Sequence, residues 1–360
     1  MYQIHPVYVH FSHSVVSLKH AIHAQKWNTK RRKKVETMKI KGLNKELAPV
    51  VIGTSSALFT DETTPWIPTD LTKEGQFASI DKLWDMGLHC FDCAAGYGER
   101  VLGEYLRSRG RTDEAVILTK GCHPNPYRKR VTPYDLLSDF HDSLAKLHRD
   151  YIDIYMLHRD DTDVPVSDII PVLDKLQKEG KIGIYGASNW TMERFREANA
   201  FAAANGLDGF RAISPHYSLA HQIEDCWGGG VSITGPEHAE DRRWLAEEQI
   251  PVFAYSALSG GFVSGKFKSD DRAAAEAFLA PPMKKGYWAD ENFERLARAE
   301  KLAETYGVSV AQISMGWLFN QDLQVIPLQG GKSPRSFAQT LEAASIKLKQ
   351  EEVRWLDLEE

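Results

Sequence analysis

From residue 47 to about residue 345, short runs of aliphatic and β-branched residues alternate with longer stretches whose apolar positions recur three and four apart. The short runs read as strands at 48–53 (APVVIG), 89–93, 115–120 (AVILTK), 151–158 (YIDIYMLH), 182–187 (IGIYGA), 211–217, 250–255 (IPVFAY) and 323–327 (LQVIP). Helical period fills 72–86, 98–109, 133–147, 168–179, 191–204, 237–248, 291–306 and 334–345. Thr132-Pro133 and Ser333-Pro334 mark two helix starts, because proline suits the first turn, where its missing N–H is not needed. A further apolar segment, 309–320, precedes the last strand.

Eight strands, each followed by a helix and without an internal repeat, predict an α/β fold, a (β/α)8 TIM barrel in a single domain. AVILTK and IPVFAY are apolar nearly throughout, as befits strands covered on both faces. Long loops follow the sixth and seventh strands, at 218–236 and 256–290, and loops of that length in a compact domain are usually functional or disordered.

Composition narrows the class. A chain of 360 residues with 42% hydrophobic and 26% charged positions has the make-up of a soluble globular protein, and no run is long enough for a membrane span. The net charge of −5 gives no reason to expect nucleic acid or an anionic membrane as partner. Four cysteines do not make a disulfide scaffold and fit a reducing, cytoplasmic compartment. Cys90 and Cys93 form a C-x-x-C, but residues three apart on a strand point to opposite faces, so they read as buried thiols and not as metal ligands. Residues 1–37 differ from the rest: they hold five histidines and seven Lys or Arg against one acidic residue, Glu36. They carry +6 and leave −11 on residues 38–360, and the domain reads as starting at Met38. The first 37 residues are expected to be a disordered extension or a start assigned too early.

In such a barrel, chemistry is assembled at the carboxyl ends of the strands. Those ends supply, in order, Gly53-Thr54, Asp92 with Tyr97 just beyond, Lys120, His158, Ser188-Asn189, Ser214 with Tyr217, Tyr255-Ser256, and Gly330 with Lys332 and Ser333. Each has a plain structural explanation alone, as a strand-end lysine, a core histidine or a helix cap. Asp, Tyr, Lys and His at one rim need a joint one. A carbonyl that takes up hydride develops negative charge on oxygen and needs a proton, which a tyrosine can supply. An ammonium at about 4 Å attracts the tyrosinate by about 4 kcal/mol at an effective dielectric near 20. That is worth about three pKa units, enough by itself to bring a phenol from about 10 to near 7. Asp92 would hold Lys120 charged, and His158 would hydrogen-bond the carbonyl oxygen.

These residues lie in blocks that resemble the aldo-keto reductase family. "FDCAAGYGERVLGEYL" is similar to that family's FDTA-x-x-YG-x-SE-x-x-LG, with Asp92 and Tyr97 at catalytic positions. "AVILTK" and "DYIDIYMLHR" resemble the blocks that end in the catalytic Lys120 and His158. "GKIGIYGASNW" resembles GKIR-x-x-G-x-SN, which implies that Ser188 and Asn189 hold the nicotinamide carboxamide. "PVFAYSALSGGFVSGKF" implies that Tyr255 stacks on the nicotinamide while Ser256, Leu258 and Gly260 cover the pyrophosphate. The resemblance runs from about residue 39 to 346.

It implies NADP(H), with NAD(H) left open, Gly53 and Thr54 at the cofactor's edge, no metal, and a small carbonyl compound as substrate. Three departures stand out. Ser214 replaces a usual glutamine at the carboxamide. "GGKSPRSFAQTLEA" keeps Gly330, Lys332 and Ser333 at the expected 2′-phosphate site but has Gln339-Thr340 where a Glu-Asn pair is familiar near adenine. Cys93 stands at a common threonine. The leading expectation is NADPH-dependent reduction of an aldehyde or ketone with Tyr97 as general acid; the alternative is a cofactor-binding regulatory subunit with slow turnover. Trp190, Trp227 and Trp288 are possible pocket walls, and the sequence leaves substrate and oligomeric state open.

Overall fold

The structure is a computed structural model that describes residues 36–359. Expectations for residues 1–35 lie outside the described residues. Eight strands close a parallel barrel in sequence order: β1 Val51–Gly53, β2 Cys90–Asp92, β3 Val116–Gly121, β4 Ile152–Leu157, β5 Ile182–Ser188, β6 Ala212–Ser214, β7 Val252–Ala254 and β8 Val325–Gln329. β1 pairs with β2 on one side and with β8 on the other, which closes the ring. The helices are α1 Lys73–Asp85, α2 Glu99–Arg109, α3 Pro133–Leu147, α4 Val166–Lys178, α5 Met192–Ala204, α6 Ala239–Glu247, α7 Arg272–Phe278 and α8 Pro281–Tyr287. They continue as α9 Asp290–Tyr306, α10 Val310–Phe319, α11 Pro334–Ala343 and α12 Gln350–Leu356. The fold is the expected (β/α)8 barrel.

One expectation about its loops is corrected. Residues 256–290 are not one long loop, because α7 and α8 occupy part of it and pack Leu279, Met283 and Tyr287 against Phe262, Phe267 and Phe293. The apolar segment 309–320 is helix α10, started by a capping box in which Ser309 and Gln312 bond reciprocally.

Strand alternation sorts the core into an interior and a shell. Val51, Cys90, Val116, Leu118, Ile154, Met156, Ile184, Ala212, Phe253, Ile326 and Leu328 form one cluster inside the barrel. A short hairpin at 38–47, held by reciprocal backbone bonds between Met38 and Leu47, adds Ile40 and Leu47 to that cluster. The alternate residues pack outward under the helices, as Ile52, Phe91 and Ile117 do in a second cluster. Cys90 belongs to the interior and Cys93 to the outer cluster, so the C-x-x-C does point two ways. Burial pushes both thiols well above their ordinary range.

The same alternation decides what reaches the rim. Counting by twos from the interior residues arrives at Asp92 on β2, Lys120 on β3, His158 past β4, Ser188 on β5, Ser214 on β6, Tyr255 past β7 and Gly330 past β8. Every one of these positions continues an inward-facing series.

Candidate active site

Lys120 and Asp92 are buried, 3% and 6% exposed, and the lysine Nζ donates to the Asp92 carboxylate and, at 3.2 Å, to the Cys93 carbonyl oxygen. Thr54 braces the pair from β1: its N–H and its hydroxyl both donate to the Asp92 carbonyl oxygen at 2.9 Å. Desolvation works against the Lys120 ammonium, but Asp92 and then Tyr97 outweigh it and raise its pKa. Burial pushes Asp92 up, with Lys120 pulling the other way. The ammonium is therefore firmly charged.

Tyr97 is placed by a tight turn. Its N–H donates to the Ala94 carbonyl at 2.9 Å, the Ala94 N–H returns a 3.2 Å bond, and Ala95 N–H donates to the Lys120 carbonyl at 2.8 Å. Helix α2 starts at once, behind Gly98 at φ 77, where a Cβ would come within 1.9 Å of the Thr54 hydroxyl. Only glycine lets the chain turn there, and the turn carries Tyr97 back over the barrel mouth. The Tyr97 and His158 rings meet edge to face, with centroids 6.1 Å apart.

Here one expectation is corrected. Tyr97 is half-buried as a residue, with its phenolic end the enclosed part, and burial pushes its pKa up to about 12 despite the pull of Lys120. Asp92 adds to the rise. The attraction of one lysine, taken alone, predicted a phenol near 7; the cost of charging a phenol away from water is the larger effect. His158 moves the opposite way: burial, then the charges of Lys120 and Arg159, hold it well below 6.5. At neutral pH the rim thus presents a protonated phenol and a neutral imidazole, both able to donate a hydrogen bond into the mouth.

The remaining predicted residues fall in two groups. On the β5–β7 side, Ser188 donates to the Ser214 carbonyl and Ser214 to the Phe253 carbonyl, both at 2.8 Å. The Asn189 amide donates to the His158 carbonyl (3.2 Å) and the Ser188 hydroxyl (3.0 Å) and accepts from Val231 N–H (3.1 Å) and the Tyr255 hydroxyl (2.8 Å). This side is pre-ordered and polar. Beyond it, Ser256, Ser259, Gly260 and Gly261 all have positive φ, and the Ser259 and Gly261 N–H groups donate within the loop to the Ser256 and Leu258 carbonyls, at 2.6 and 2.9 Å. Gly260 has no alternative, since a Cβ there would meet the Met283 sulfur at 1.9 Å. Leu258 packs against the hydrophobic core from the same loop.

On the β8 side, Gly53 lies against the Gln329–Gly330 backbone, with room for no more than van der Waals contact at its Cβ position. Lys332 is exposed and bonded to Asp70 at 2.6 Å, and Ser333 is the residue before α11. Gln339 and Thr340 lie on α11, the Thr340 hydroxyl donating to the Ser336 carbonyl at 3.3 Å. Arg335, which the sequence reading passed over, is exposed in the first turn of α11 and forms no ion pair among the described residues.

Three further residues at the mouth were missed. Cys122 has φ 62, which turns His123 so that its ring lies 4.8 Å from that of His158. Arg159 follows His158 and donates from Nη1 to the His158 carbonyl at 3.0 Å. Asp225 accepts the N–H groups of Trp227, Gly229 and Gly230 and so shapes the loop that lies across Arg159. The Cys-His pair after Lys120 and the glycine run at 228–230 were the available signals.

One expected rim residue is corrected. Tyr217 lies in the shell, its hydroxyl donating to Gln321 at 2.9 Å and its ring against Trp317. Trp190 is fully buried, and Trp288 packs on Phe293, so of the three tryptophans Trp227 alone is strongly exposed, on the 225–230 loop. A polar hollow of about 340 Å³ lies elsewhere, among Lys45, His148, Arg149 and Asp153. There Lys45 and Arg149 both pair with Asp153. No group of three or more metal-binding side chains occurs among the described residues, and no helix there is long and apolar enough to cross a membrane.

Comparison with known proteins gives the family. The model of the Aldo/keto reductase family matches residues 49–358. The chain is 26% identical over 285 residues to Aldo-keto reductase YhdN of Bacillus subtilis, which covers 75% of this chain and 78% of that one. It is 26% identical over 288 residues to Aldo-keto reductase yakc of Schizosaccharomyces pombe, a protein whose name carries NADP(+), covering 77% and 80%. Norsolorinic acid reductase stcV of Emericella nidulans is 26% identical over 309 residues, covering 79% and 71%. The chain belongs to the aldo-keto reductase family and is an NAD(P)H-dependent carbonyl oxidoreductase.

Proposed function

We propose that the protein reduces a small aldehyde or ketone with NADPH, with Tyr97 as proton donor. The observation that carries this reading is the buried Asp92–Lys120 pair beneath a protonated Tyr97, edge to face with a neutral His158. The residues around the mouth fit a nicotinamide cofactor: a polar shelf at Ser188, Asn189 and Tyr255, a tightly turned loop at 256–261, and cations at Lys332 and Arg335. When bound, the cofactor supplies hydride to the carbonyl carbon. The chain's own part is to bind and donate. His158 hydrogen-bonds the carbonyl oxygen and fixes its approach. As negative charge develops on that oxygen, the Tyr97 hydroxyl hands over its proton, and the charged Lys120 steadies the tyrosinate that results. Asp92 keeps Lys120 in position, and His158, being neutral, adds no charge that would stabilise the tyrosinate beforehand. Turnover of simple aldehydes with NADPH and with NADH tests the reading directly. A protein that binds NADPH but reduces nothing would instead be the regulatory subunit.

The pKa directions make the pH profile specific. Tyr97 is protonated below about 12 and His158 is neutral above a pKa held well under 6.5. We therefore expect kcat/KM for reduction, which reports the free enzyme, to stay level from about pH 6.5 to 9. A fall centred near pH 7 would show that the phenol ionises there after all.

NADPH is the expected cofactor over NADH, because the exposed cations Lys332 and Arg335 stand near the start of α11, the segment that the family resemblance gives to a 2′-phosphate. Since Lys332 is already bonded to Asp70, Lys332→Ala should raise the KM for NADPH by only a few-fold. Adding Arg335→Ala should raise it further, with the KM for NADH little changed. Equal losses for both cofactors would count against this placement.

A further inference from the structure

Arg159 stands beside the reaction centre without a counter-ion among the described residues. It follows His158 directly, where the chain leaves β4, and three hydrogen bonds pin its peptide: Asn189 and Arg159 Nη1 to the His158 carbonyl, at 3.2 and 3.0 Å, and Trp190 Nε1 to the Arg159 carbonyl at 3.2 Å. Gly229 roofs the side chain, its Cβ position lying 3.7 Å from Nε and 3.8 Å from Cδ. Under that roof Nε is buried and has no acceptor.

The acidic side chain facing Arg159 is Asp225, and it is not free to pair. Its carboxylate holds the N–H groups of Trp227 (2.8 Å), Gly229 (2.6 Å) and Gly230 (3.1 Å), and no carboxylate comes within 4 Å of Arg159 among the described residues. The contrast with its neighbours is sharp. Lys120 has Asp92, and Arg194, a little farther out, has Asp160 at 3.3 Å. A guanidinium that is partly desolvated, unpaired and rigidly mounted is costly to hold, and the cost falls when an anion arrives. Burial accordingly holds the Arg159 pKa below its ordinary value, against the raising influence of Tyr255, Asp225 and Tyr97.

We propose that Arg159 recognises an anionic group on the substrate, so that the preferred substrates are aldehydes or ketones carrying a carboxylate or phosphate close to the carbonyl. The guanidinium fork suits either anion bidentately. His158 and Tyr97 would take the carbonyl oxygen while Arg159 takes the anion. His123, exposed beside His158, stands on the same side of the mouth. This deepens the carbonyl-reductase reading and rests on it.

The test measures kcat/KM with NADPH for two matched pairs: 4-carboxybenzaldehyde against its methyl ester, and glyceraldehyde 3-phosphate against glyceraldehyde. The ratio within a pair is compared among the parent protein, Arg159→Gln and Asp225→Asn, so that a general loss of activity cancels. We expect at least one pair to favour the anion by about tenfold or more in the parent; which pair does so tells carboxylate from phosphate. Arg159→Gln should bring that ratio close to one, and Asp225→Asn, which removes a competing negative charge, should increase it. Ratios near one in both pairs, or a preference that survives Arg159→Gln, would overturn the proposal. If Arg159→Gln does not fold, an unchanged ratio in Asp225→Asn overturns it equally. Should no aldehyde turn over at all, the carbonyl-reductase reading fails separately. Isothermal titration with terephthalate then decides: binding by the parent that Arg159→Gln lacks supports anion recognition, and no binding by the parent ends it.

Discussion

Tyr97→Phe is expected to lower carbonyl reduction by a factor of about 10² to 10⁴, the range typical of a lost general acid, while NADPH binds nearly as tightly as in the parent. The ring stays, and with it the edge contact to His158 at 6.1 Å, so the mouth keeps its shape. Only the hydroxyl goes. Since that hydroxyl has a pKa near 12 in the resting protein, its value to the reaction lies in being reliably protonated beside a fixed ammonium. Removing the ammonium as well should add little once the phenol is gone. The double variant Tyr97→Phe, Lys120→Met should be clearly less impaired than the product of the two single losses, as residues acting as one unit are. NADPH affinity by fluorescence titration, alongside turnover of one aldehyde, separates the outcomes. Near-parental reduction by Tyr97→Phe with binding intact would mean that the proton comes from elsewhere.

Much of this arrangement could be read from alternation alone. Once AVILTK is a strand buried on both faces, Val116, Leu118 and Lys120 share a side, and the same count brings Asp92 and His158 to the same rim. What failed has separate causes. For Tyr217 the alternation was not followed far enough: beyond β6 His216 still bridges to Tyr255, and counting by twos from the outward-facing Ile213 reaches Tyr217. Its hydroxyl then bonds a residue more than a hundred positions away. Helices α7, α8 and α12 have seven residues each, about two turns, too short for a period of 3.6 to declare itself. The Tyr97 error has another root. A Coulomb estimate needs one distance, which sequence proximity supplied, whereas desolvation depends on everything that surrounds the hydroxyl. Arg159 was in plain view within "DYIDIYMLHR". Its interest lies in the missing partner, and a missing partner can be seen only in three dimensions.

Lys120→Met should cost stability as well as activity, and the two losses should separate. The methionine fills the lysine's space but leaves the Asp92 carboxylate, 6% exposed, without its counter-ion. Breaking a buried pair from one side typically costs about 3–5 kcal/mol. For a domain of this size, that is roughly a 4–7 °C fall in melting temperature. The carboxyl can escape part of the penalty by taking up a proton, and burial already pushes its pKa upward. In the variant, then, the folded state binds a proton that the unfolded state releases above about pH 4. The stability deficit should therefore be small near pH 4–5 and grow as the pH rises through neutrality. Adding Asp92→Asn removes the stranded charge. The double variant Asp92→Asn, Lys120→Met should regain at least half of the lost melting temperature at pH 8 and flatten its pH dependence. It should regain none of the turnover, because nothing then steadies a Tyr97 anion. Calorimetric melts at pH 5 and pH 8, set beside aldehyde reduction for the three variants, check both halves. If Lys120→Met melts within a degree or two of the parent at pH 8, the Asp92–Lys120 pair does not hold the barrel mouth together, and its purpose is wholly chemical.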